Sequence, residues 1–457
     1  MAIWSEINAS ILSEHAGRID PEYYRPETLH ADLAIKSLEY ALFGKLVSDG
    51  YRVVYENTKI LNENAVRAED CRFLQATNIS QDGLSIEQDK VGYVSVADWI
   101  RYPKGRIKAR EILIEVKGQA EKVAIVPDYY PARTLVSGTL FKATIKNEVV
   151  SPEYIYSFFL CHYGKLLRAR VKTNTLIAFV SKPELYRIPV PIPSRSSMQE
   201  ITSLVREAIN QNMLSQSFYT QAQQLLKQEL GLDKLEFKKS LSNEVSLSEI
   251  TEGRRIDAQC YKLDYVNYEQ YLRKNCDYQY LRSLVCPTLK GKQMSESSSG
   301  SVHYASIKDI QGIELLTDSY CTLTSEICLA KKKDLLLAIT GATIGKIGLV
   351  NRYERLAFCG DLLLLRANEN IDPHYLLTVM QSPMGQSQCK RWITGSTNGH
   401  LAPHDVGKLV IPRLSIAKEN VISECVKKCL RTKRESEQLL EQAKCQVEEL
   451  IQEAVEK

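Results

Sequence analysis

An internal duplication constrains the fold of this 457-residue chain more than any other feature of its sequence. Residues 118–126 (GQAEKVAIV) match residues 341–350 (GATIGKIGLV) with a single-residue gap, so that Lys122 corresponds to Lys346. An apolar, strand-like run precedes each segment, ILIEV at 112–116 and LLLAI at 335–339. A repeat at this long spacing predicts two similar domains rather than a short-period solenoid.

Further landmarks occur in the same order in both copies. Residues 151–155 (SPEYI) match 372–376 (DPHYL), and a Ser or Asp before proline is a typical helix start, because its side chain accepts an unpaired backbone N–H. Residues 18–20 (RID) match 255–257, and residues 190–193 (VPIP) match 409–412 (LVIP). The offset falls from 237 to 219 along the chain, as short insertions and deletions would cause. Further pairs are Gly164 with Gly385, Arg170 with Arg391, and Thr173 with Thr394.

A long proline-free segment follows each copy. In both segments, apolar and small residues recur at alternating steps of three and four, which is coiled-coil spacing. One amphipathic helix cannot bury this stripe of apolar side chains alone, so we predict that the two helices pair antiparallel. The alternative is that each helix packs on its own domain. The predicted pairing positions are Ile201, Val205, Ala208, Tyr219, Ala222 and Leu226 in the first helix, and Ile422, Val426, Cys429, Leu440, Ala443 and Val447 in the second.

These patterns predict an α/β protein of the α+β type with a pseudo-two-fold internal repeat. The expected boundaries are a globular domain at 1–194, a spacer helix at 195–232, a second globular domain at 233–413 and a second spacer helix at 414–457. A helix of about 35 residues is ~50 Å long at about 1.5 Å per residue. Two similar domains held apart by such a rod match two half-sites on duplex DNA, whose helical turn is about 34–36 Å.

The glycine segment of the second copy is not a phosphate-binding loop of the nucleotide-binding kind. Gly341 and Gly345 enclose three residues rather than the required four, and Ile347 stands where a hydroxyl should meet Mg²⁺. We therefore interpret the segment as a turn of the repeated domain. Its lysines, Lys122 and Lys346, either contact a DNA phosphate or are ordinary solvated turn residues.

No catalytic or metal site is predicted. Glu115 and Lys117 resemble the end of a metal-nuclease motif, but the equivalent residues Ala338 and Thr340 carry neither group. The seven histidines and twelve cysteines show no ligand spacing, and there is no Cys-x-x-Cys pair. The net charge of +4 permits nucleic-acid binding without requiring it. Scattered thiols and the lack of a long apolar run favour a cytoplasmic protein that does not cross a membrane.

Candidate DNA contacts fall into two groups. Basic residues would neutralise phosphates, although a charge run is also typical of a solvated face. The basic candidates are Arg101, Lys104, Arg106, Lys108, Arg110, Lys122, Arg168, Arg170, Lys172, Lys331, Lys332, Lys333, Lys346, Lys390 and Arg391. Polar residues with paired donors and acceptors would read base edges. The polar candidates are Thr77, Asn78, Thr173, Asn174, Ser306, Lys308, Thr397 and Asn398.

The whole pattern resembles the specificity (S) subunit of type I restriction-modification enzymes. The resemblance covers essentially the whole chain and rests on GATIGKIGLV (341–350) with its weaker twin, on SPEY and DPHY, on PVPIP and LVIP before the helices, and on RIDPEYYRPE (18–27). Two departures stand out. Glu121 precedes Lys122 where the pattern has a glycine, and the usual glutamine at the helix start survives as Gln199 only in the first copy.

The resemblance implies a non-catalytic chain in which each domain reads one half of an asymmetric bipartite target in double-stranded DNA. It also implies partners: two DNA methyltransferase (modification) subunits docked along the helices, and restriction/translocase subunits. S-adenosylmethionine, ATP and Mg²⁺ would then act on those partners, with no cofactor in this chain. Two alternatives stay open, a recognition subunit of a type IIB or related system, and a scaffold with two repeated interaction domains that does not bind DNA.

Overall fold

The computed structural model describes residues 18–53, 58–62, 65–86, 91–173, 177–235, 237, 242–323, 328–395 and 398–455. The chain divides into two compact units, residues 1–214 with 432–457, and residues 215–431. The two long helices are continuous, and each contributes one part to each unit. The predicted spacer helices are therefore shared between the compact units instead of forming a separate region.

The first unit begins after a 3₁₀ turn at Pro21–Tyr24. Its helices are α1 (Pro26–Lys36), α2 (Phe43–Leu46), α3 (Val96–Arg101), α4 (Pro152–Leu160), α5 (His162–Arg170) and α6 (Lys182–Tyr186). Its strands are β1 (Tyr40–Leu42), β2 (Val47–Arg52), β3 (Cys71–Leu74), β4 (Gly92–Val94), β5 (Ile112–Glu115), β6 (Lys117–Gly118), β7 (Val123–Ile125), β8 (Thr134–Val136), β9 (Leu140–Ile145), β10 (Ala178–Phe179) and β11 (Pro189–Pro191). The first long helix, α7, spans Arg195–Glu229, and Gly231 follows it in a left-handed conformation.

The second unit contains helices α8 (Leu247–Gly253), α9 (Leu263–Asn275), α10 (Leu281–Leu284), α11 (Pro373–Gln381), α12 (Pro383–Arg391) and α13 (Pro403–Val406). Its strands are β12 (Tyr278–Tyr280), β13 (Leu289–Lys290), β14 (Val302–Ala305), β15 (Ile310–Gln311), β16 (Glu314–Leu315), β17 (Tyr320–Cys321), β18 (Leu329–Ala330), β19 (Leu335–Ala338), β20 (Ile347–Leu349), β21 (Leu356–Phe358), β22 (Leu362–Leu365) and β23 (Val410–Pro412). The second long helix, α14, spans Ile416–Val455.

The two units share a sheet topology, which confirms the predicted duplication. In the first unit β5 pairs antiparallel with β7 and β9, and in the second β19 pairs antiparallel with β20 and β22. A parallel pair also recurs in both units, β3 with β8 and β14 with β21. The second unit has a further parallel pair, β16 with β20. A short strand near the start of each copy pairs antiparallel with the strand that leads into its long helix, β1 with β11 and β12 with β23.

The core of each copy forms where a helix hairpin covers the sheet. Helices α4 and α11 are almost entirely buried, because their sequences are apolar on nearly every face. The next helix packs tightly against each, since a Cβ on Gly164 would lie 1.9 Å from the carbonyl oxygen of Phe158, and one on Gly385 would lie 2.4 Å from that of Val379. The matched glycines therefore mark a close helix–helix approach.

One predicted alignment is wrong by two residues. The sequence comparison paired residues 190–193 with 409–412, an offset of 219. In the structure Tyr40 and Tyr278 face Pro191 and Pro412, so the true offset of these strands is 221. The Pro-rich segments are short and similar at both registers, and the pairing with the first strand of each copy fixes the correct one.

The long helices run antiparallel within each unit. In the first unit, Ser436 Oγ donates to the carbonyl oxygen of Ala208 over 2.6 Å, and Lys433 Nζ donates to Asn212 Oδ1 over 3.3 Å. In the second unit, Ser215 Oγ donates to the carbonyl oxygen of Cys429 over 2.9 Å. As the residue number rises along α7, that of its partner on α14 falls. The predicted antiparallel pairing of the helices is thus present in each unit.

The helix stripe also packs on the globular region, so both predicted alternatives hold in part. Of the twelve predicted pairing positions, Tyr219 is half-buried and the other eleven are buried. In the first unit, Ile201, Val205 and Leu440 share one apolar core with helix α4. In the second, Leu226, Ile422 and Val426 share a core with helix α11. The stripe is therefore buried against two surfaces.

Candidate nucleic-acid interface

The glycine segment of each copy is the turn of an antiparallel hairpin. In the first copy it connects β5 to β7, and in the second it connects β19 to β20. Gly118 (φ 123°), Gly341 (φ 73°) and Gly345 (φ 93°) take the positive φ values that the turn requires and that other residues rarely adopt. The shared shape of the segment is thus a turn geometry, in agreement with the rejection of a nucleotide-binding loop.

Side chains of the first glycine segment hold the turn together. The carboxylate of Glu115 accepts backbone N–H bonds from Gln119, Glu121 and Lys122, at 3.0–3.2 Å. Glu115 therefore organises the loop. Lys122 Nζ donates to the carbonyl oxygens of Ala76 and Ile79, at 3.1 and 2.7 Å, at the end of a 3₁₀ turn. This lysine joins two loops of the unit.

Arg168, predicted to contact DNA, is buried. Its guanidinium donates to the carbonyl oxygens of Phe159 (3.0 and 3.2 Å) and Glu121 (2.8 Å). Burial lowers the pKa of Arg168 to about 10. The guanidinium thus satisfies main-chain acceptors inside the unit, and its 4% exposure leaves no surface for a phosphate.

Arg170 and Arg391 also point inward, at equivalent positions of the two copies. Arg170 Nη1 lies 3.1 Å from Asp32 Oδ1, and the Arg170 guanidinium lies 4.2 Å from the ring centroid of Tyr23. Arg391 pairs with Glu269 and donates to the carbonyl oxygen of Cys260 over 3.2 Å. These contacts join α5 to α1 in the first copy and α12 to α9 in the second. We therefore assign both arginines a structural role.

A 3₁₀ turn in each copy presents one exposed side chain, Thr77 at 76–78 and Lys308 at 307–309. The neighbouring candidates Asn78 and Ser306 face inward and form capping boxes, in which Asn78 Oδ1 accepts from Gln75 N (2.8 Å) and Ser306 N donates to Asp309 Oδ2 (2.7 Å). Lys308 pairs with Glu296 over 2.6 Å on the surface. Thr77 and Lys308 thus occupy matching, solvent-facing positions.

Two basic clusters that look unrelated in the sequence are the same turn. Arg110 (φ 64°) and Lys333 (φ 76°) both have positive φ, and their backbone N–H groups donate over 2.8 Å to Val126 and Val350, respectively. Each turn begins with a lysine whose backbone N–H donates over 2.8 Å to the side-chain carboxylate three residues later. These bonds run from Lys108 to Glu111 and from Lys331 to Asp334. We call residues 108–110 and 331–333 the basic turns. Lys108, Lys331, Lys332 and Lys333 are exposed on them.

Two arginines in or near the first basic turn bind other groups of the protein. Arg110 pairs with the buried Glu153 over 2.8 Å. The guanidinium of Arg106 lies 4.4 Å from the ring centroid of Trp99 and donates to the Trp99 carbonyl oxygen over 2.8 Å. Arg101 and Lys104 are exposed on α3 and on the turn that follows it. They are the free cations nearest in sequence to this turn, whereas Arg106 and Arg110 also stabilise it.

In each copy the loop that follows α5 or α12 lies against the glycine turn. In the first copy β10 pairs with β6, and Thr173 Oγ1 donates to the Phe179 carbonyl oxygen over 3.0 Å. In the second copy, Gly341 N donates to the Gly399 carbonyl oxygen over 3.1 Å. Lys390 and Asn398 are exposed, while Lys172 and Lys346 are half-exposed. Asn174 and Thr397, which were predicted to read bases, lie outside the described residues.

In the first copy the remaining candidates therefore form two separate groups. The glycine turn, its neighbouring loop and the 3₁₀ residue form one group, because Lys122 and the β6–β10 pairing join them in the first copy. The basic turn lies at the opposite end of the same hairpin, past the four residues of β5, or about 13 Å at ~3.3 Å per residue. This division is not visible in the order of the residues along the chain.

Metal-binding clusters and membrane-spanning helices are both absent from the described part of the chain. No group of three or more His, Cys, Asp or Glu side chains is placed to hold a metal ion there. Among the helices that the structure describes, none has the length and apolar character needed to span a membrane.

No protein-family model and no curated protein sequence matches the chain. Solved structures do match, at low sequence identity. The type I restriction-modification S subunit from M. genitalium aligns with a TM-score of 0.40 and 11% identity, covering 91% of this chain and 96% of that one. The HsdS subunit from Thermoanaerobacter tengcongensis aligns with a TM-score of 0.29 and 12% identity, covering 91% and 96%. A structure from a study of complex assembly and conformational transition of the type I R-M system aligns with a TM-score of 0.30 and 12% identity. The alignment covers 91% of this chain and 97% of that one.

Proposed function

We propose that this chain is the DNA-specificity subunit of a type I restriction-modification enzyme, and that it performs no catalysis itself. Each unit would read one half of an asymmetric bipartite target in duplex DNA. The observation that carries the proposal is the duplication: one chain holds two copies of the same module, each leading directly into a long helix. This arrangement suits a duplex read at two separated half-sites.

The exposed surfaces support two different specificities on one scaffold. Contacts that build the module are repeated, such as the inward-facing Arg170 and Arg391. Exposed residues at matching positions differ, with Thr77 in the first copy where the second has Lys308. A hydroxyl and an ammonium group present different donors and acceptors to a base edge. Two modules of one fold would thus select different sequences.

The basic turns supply the non-specific part of binding in this proposal. Lys331, Lys332 and Lys333 are exposed on the second turn, and Lys108 on the first. Lysines at such positions neutralise phosphates and release counterions, which gives affinity that falls as salt rises. They would position the duplex while the residues at the other end of the hairpin distinguish the bases.

The long helices would carry the partner subunits. Each helix exposes apolar side chains away from the pairing stripe, Met213 and Leu214 on α7 and Ile416 and Val421 on α14. Exposed apolar residues on a helix are suited to burial by another protein. We propose that two modification subunits dock there, that restriction/translocase subunits join the assembly, and that S-adenosylmethionine, ATP and Mg²⁺ bind to those partners. A cytoplasmic location follows from this role.

Selection from a pool of random duplexes tests the proposal. The chain, co-expressed with the modification subunit encoded beside it, should enrich duplexes with two short fixed blocks separated by a gap of constant length. A scaffold protein that does not bind DNA would enrich no sequence, and a single enriched block would contradict the bipartite reading. Neighbouring genes separate a type I system from a type IIB system, because a motor-nuclease gene beside a methyltransferase gene fits only the former.

A further inference from the structure

The second unit contains a cavity of about 220 Å³ whose lining includes no residue of the glycine turn or of the basic turn. It lies between helices α8 and α9, the C-terminal end of α12, and the segments around Tyr280 and Lys408. We call it the Trp392 cavity, after the indole in its wall. Nothing in the proposed DNA-reading role requires such a cavity.

The lining of the cavity contains more basic than acidic side chains. The ionisable residues that line it are Arg273, Arg282, Arg391 and Lys408, which are cationic, and Glu249 and Glu269, which are anionic, a balance of +2. Both oxygens of Glu269 are already engaged, Oε1 by Arg273 Nε at 3.0 Å and Oε2 by Arg391. Lys408 Nζ lies 2.8 Å from Asp405 Oδ1. Asp405 is not part of the lining and offsets one of these charges, so the lining residues together with Asp405 carry a balance of +1.

Arg282 is the cation without a counter-ion. Among the described residues it makes no ion pair, and its guanidinium lies 4.9 Å from the ring centroid of Tyr280. Its backbone N–H donates to the carbonyl oxygen of Gly407 over 3.1 Å, which places it beside Lys408. A guanidinium held on an aromatic ring, with its N–H groups unused, is suited to bidentate recognition of an anion.

Trp392 supplies a second unused donor. Its side chain is buried (3% exposed), and in the part of the chain that the structure describes its Nε1–H has no hydrogen-bond partner. Buried indole N–H groups normally find a partner. The ring is held by Lys408 Nζ, 4.4 Å from its centroid. An acceptor bound in the cavity would satisfy this N–H.

The first copy lacks these features at the matching positions. The pairing of β1 and β12 matches Leu42 of the first copy to Tyr280 and Gly44 to Arg282. The ends of α5 and α12 match Val171 to Trp392. A cavity needed only to build the shared module would have similar walls in both copies. Arg391 and Lys408 do have basic counterparts in the first copy, Arg170 and Arg187. Tyr280, Arg282 and Trp392 have none, and these three residues point to a ligand that binds the second unit only.

We propose that the Trp392 cavity binds the phosphate group of a small phosphomonoester. The dianion would pair with Arg282 and Lys408, and the indole N–H would donate to one of its oxygens. The inference does not rest on the proposed DNA function. A DNA backbone would offer a singly charged phosphodiester instead of a terminal phosphate, and the experiment below distinguishes the two.

Isothermal titration of the full chain with adenosine monophosphate, and separately with inorganic phosphate, tests the site. Wild-type chain should bind adenosine monophosphate saturably at one site. Arg282→Gln, at an exposed position, should weaken binding about ten-fold or more, because charge-assisted hydrogen bonds are lost. Trp392→Phe should weaken it as well. Arg187→Gln, at the first-copy position that matches Lys408, is the control and should leave the affinity unchanged.

A short duplex added as competitor identifies the source of the phosphate. If a duplex without terminal phosphates leaves adenosine monophosphate binding unchanged, the site takes a free phosphomonoester. If the duplex displaces the nucleotide, and Arg282→Gln also weakens duplex binding, the site takes a DNA phosphodiester and the phosphomonoester proposal is wrong. Circular dichroism of each variant confirms that it is folded. No saturable binding to wild-type chain, or equal affinity in the folded Arg282→Gln variant, would overturn the proposal.

Discussion

Tyr154 donates a hydrogen bond from its phenolic oxygen to the carbonyl oxygen of Pro191 over 2.8 Å, and both groups are buried. The bond ties helix α4 to the strand that leads into α7. The second copy repeats it, with Tyr375 donating to Pro412 over 2.9 Å. Each module is therefore attached to its own long helix by the same contact, and burial raises the pKa of both tyrosines, so the hydroxyls stay protonated donors.

Replacing either tyrosine by phenylalanine should lower the stability of its own unit. The change leaves a buried carbonyl oxygen unpaired, which costs about 1–2 kcal/mol. Hydrogen exchange resolved by unit would show faster exchange around α4 in Tyr154→Phe and around α11 in Tyr375→Phe. Equal acceleration in both units for either variant would show that the bond is not a local attachment.

Removal of Arg170 should affect stability more than DNA binding. In Arg170→Met, Asp32 keeps only the half-exposed Lys36 as a partner, so we expect a loss of about 3 kcal/mol, typical of a broken buried ion pair. Lys172→Met, two residues away at a half-exposed position, should be near neutral. Urea denaturation measures both. If Arg170→Met keeps full stability and loses DNA affinity, the structural assignment is wrong.

Glu153 should make the first unit sensitive to acid. Burial alone would raise the pKa of this carboxyl, but hydrogen bonds from Arg110 and Arg206 outweigh burial and hold the pKa below its ordinary value of 4.5. A depressed folded-state pKa stabilises the unit at and above the unfolded-state pKa, and the gain is lost as pH falls through the folded value. Denaturant titrations should show wild type more stable than Glu153→Gln at pH 7, with the difference shrinking below about pH 4. A constant difference down to pH 3 would contradict this.

The second basic turn should set part of the salt dependence of DNA binding. Changing Lys331, Lys332 and Lys333 to Gln should flatten the plot of log affinity against log salt by about 0.9 for each phosphate contact removed. Sequence preference should not change, because lysine–phosphate contacts carry no base information. Lys427→Gln, on α14, is a matched control. Fluorescence anisotropy at several salt concentrations measures the slopes, and an unchanged slope would exclude this turn from the interface.

The sequence predicted the architecture well because the evidence for it is periodic or repeated. The stripe from Ile201 to Leu226 has helical spacing, and burial follows spacing directly. The two hairpins were found because both copies keep a glycine where the turn needs positive φ. Such signals lie within a few residues of one another, so a single sequence displays them.

The candidate site was harder to predict because side-chain direction depends on distant residues. Arg170 looked like a surface cation, yet its partner Asp32 lies 138 residues earlier in the chain. One signal was present and missed. Asp32 and Glu269 sit at the offset of 237 that relates Arg18 to Arg255, so both copies keep an acid opposite the matched arginines. A charge pair kept in both halves indicates an internal bond more often than a DNA contact.

Target selection with a variant confined to one unit tests the central claim most directly. Lys308→Ala, at the exposed 3₁₀ position of the second unit, would be compared with wild type by sequencing duplexes selected from a random pool in the presence of the modification subunit. The duplication account predicts that one block of the bipartite target changes or loses definition while the other block and the gap stay the same. Simultaneous change of both blocks would contradict it.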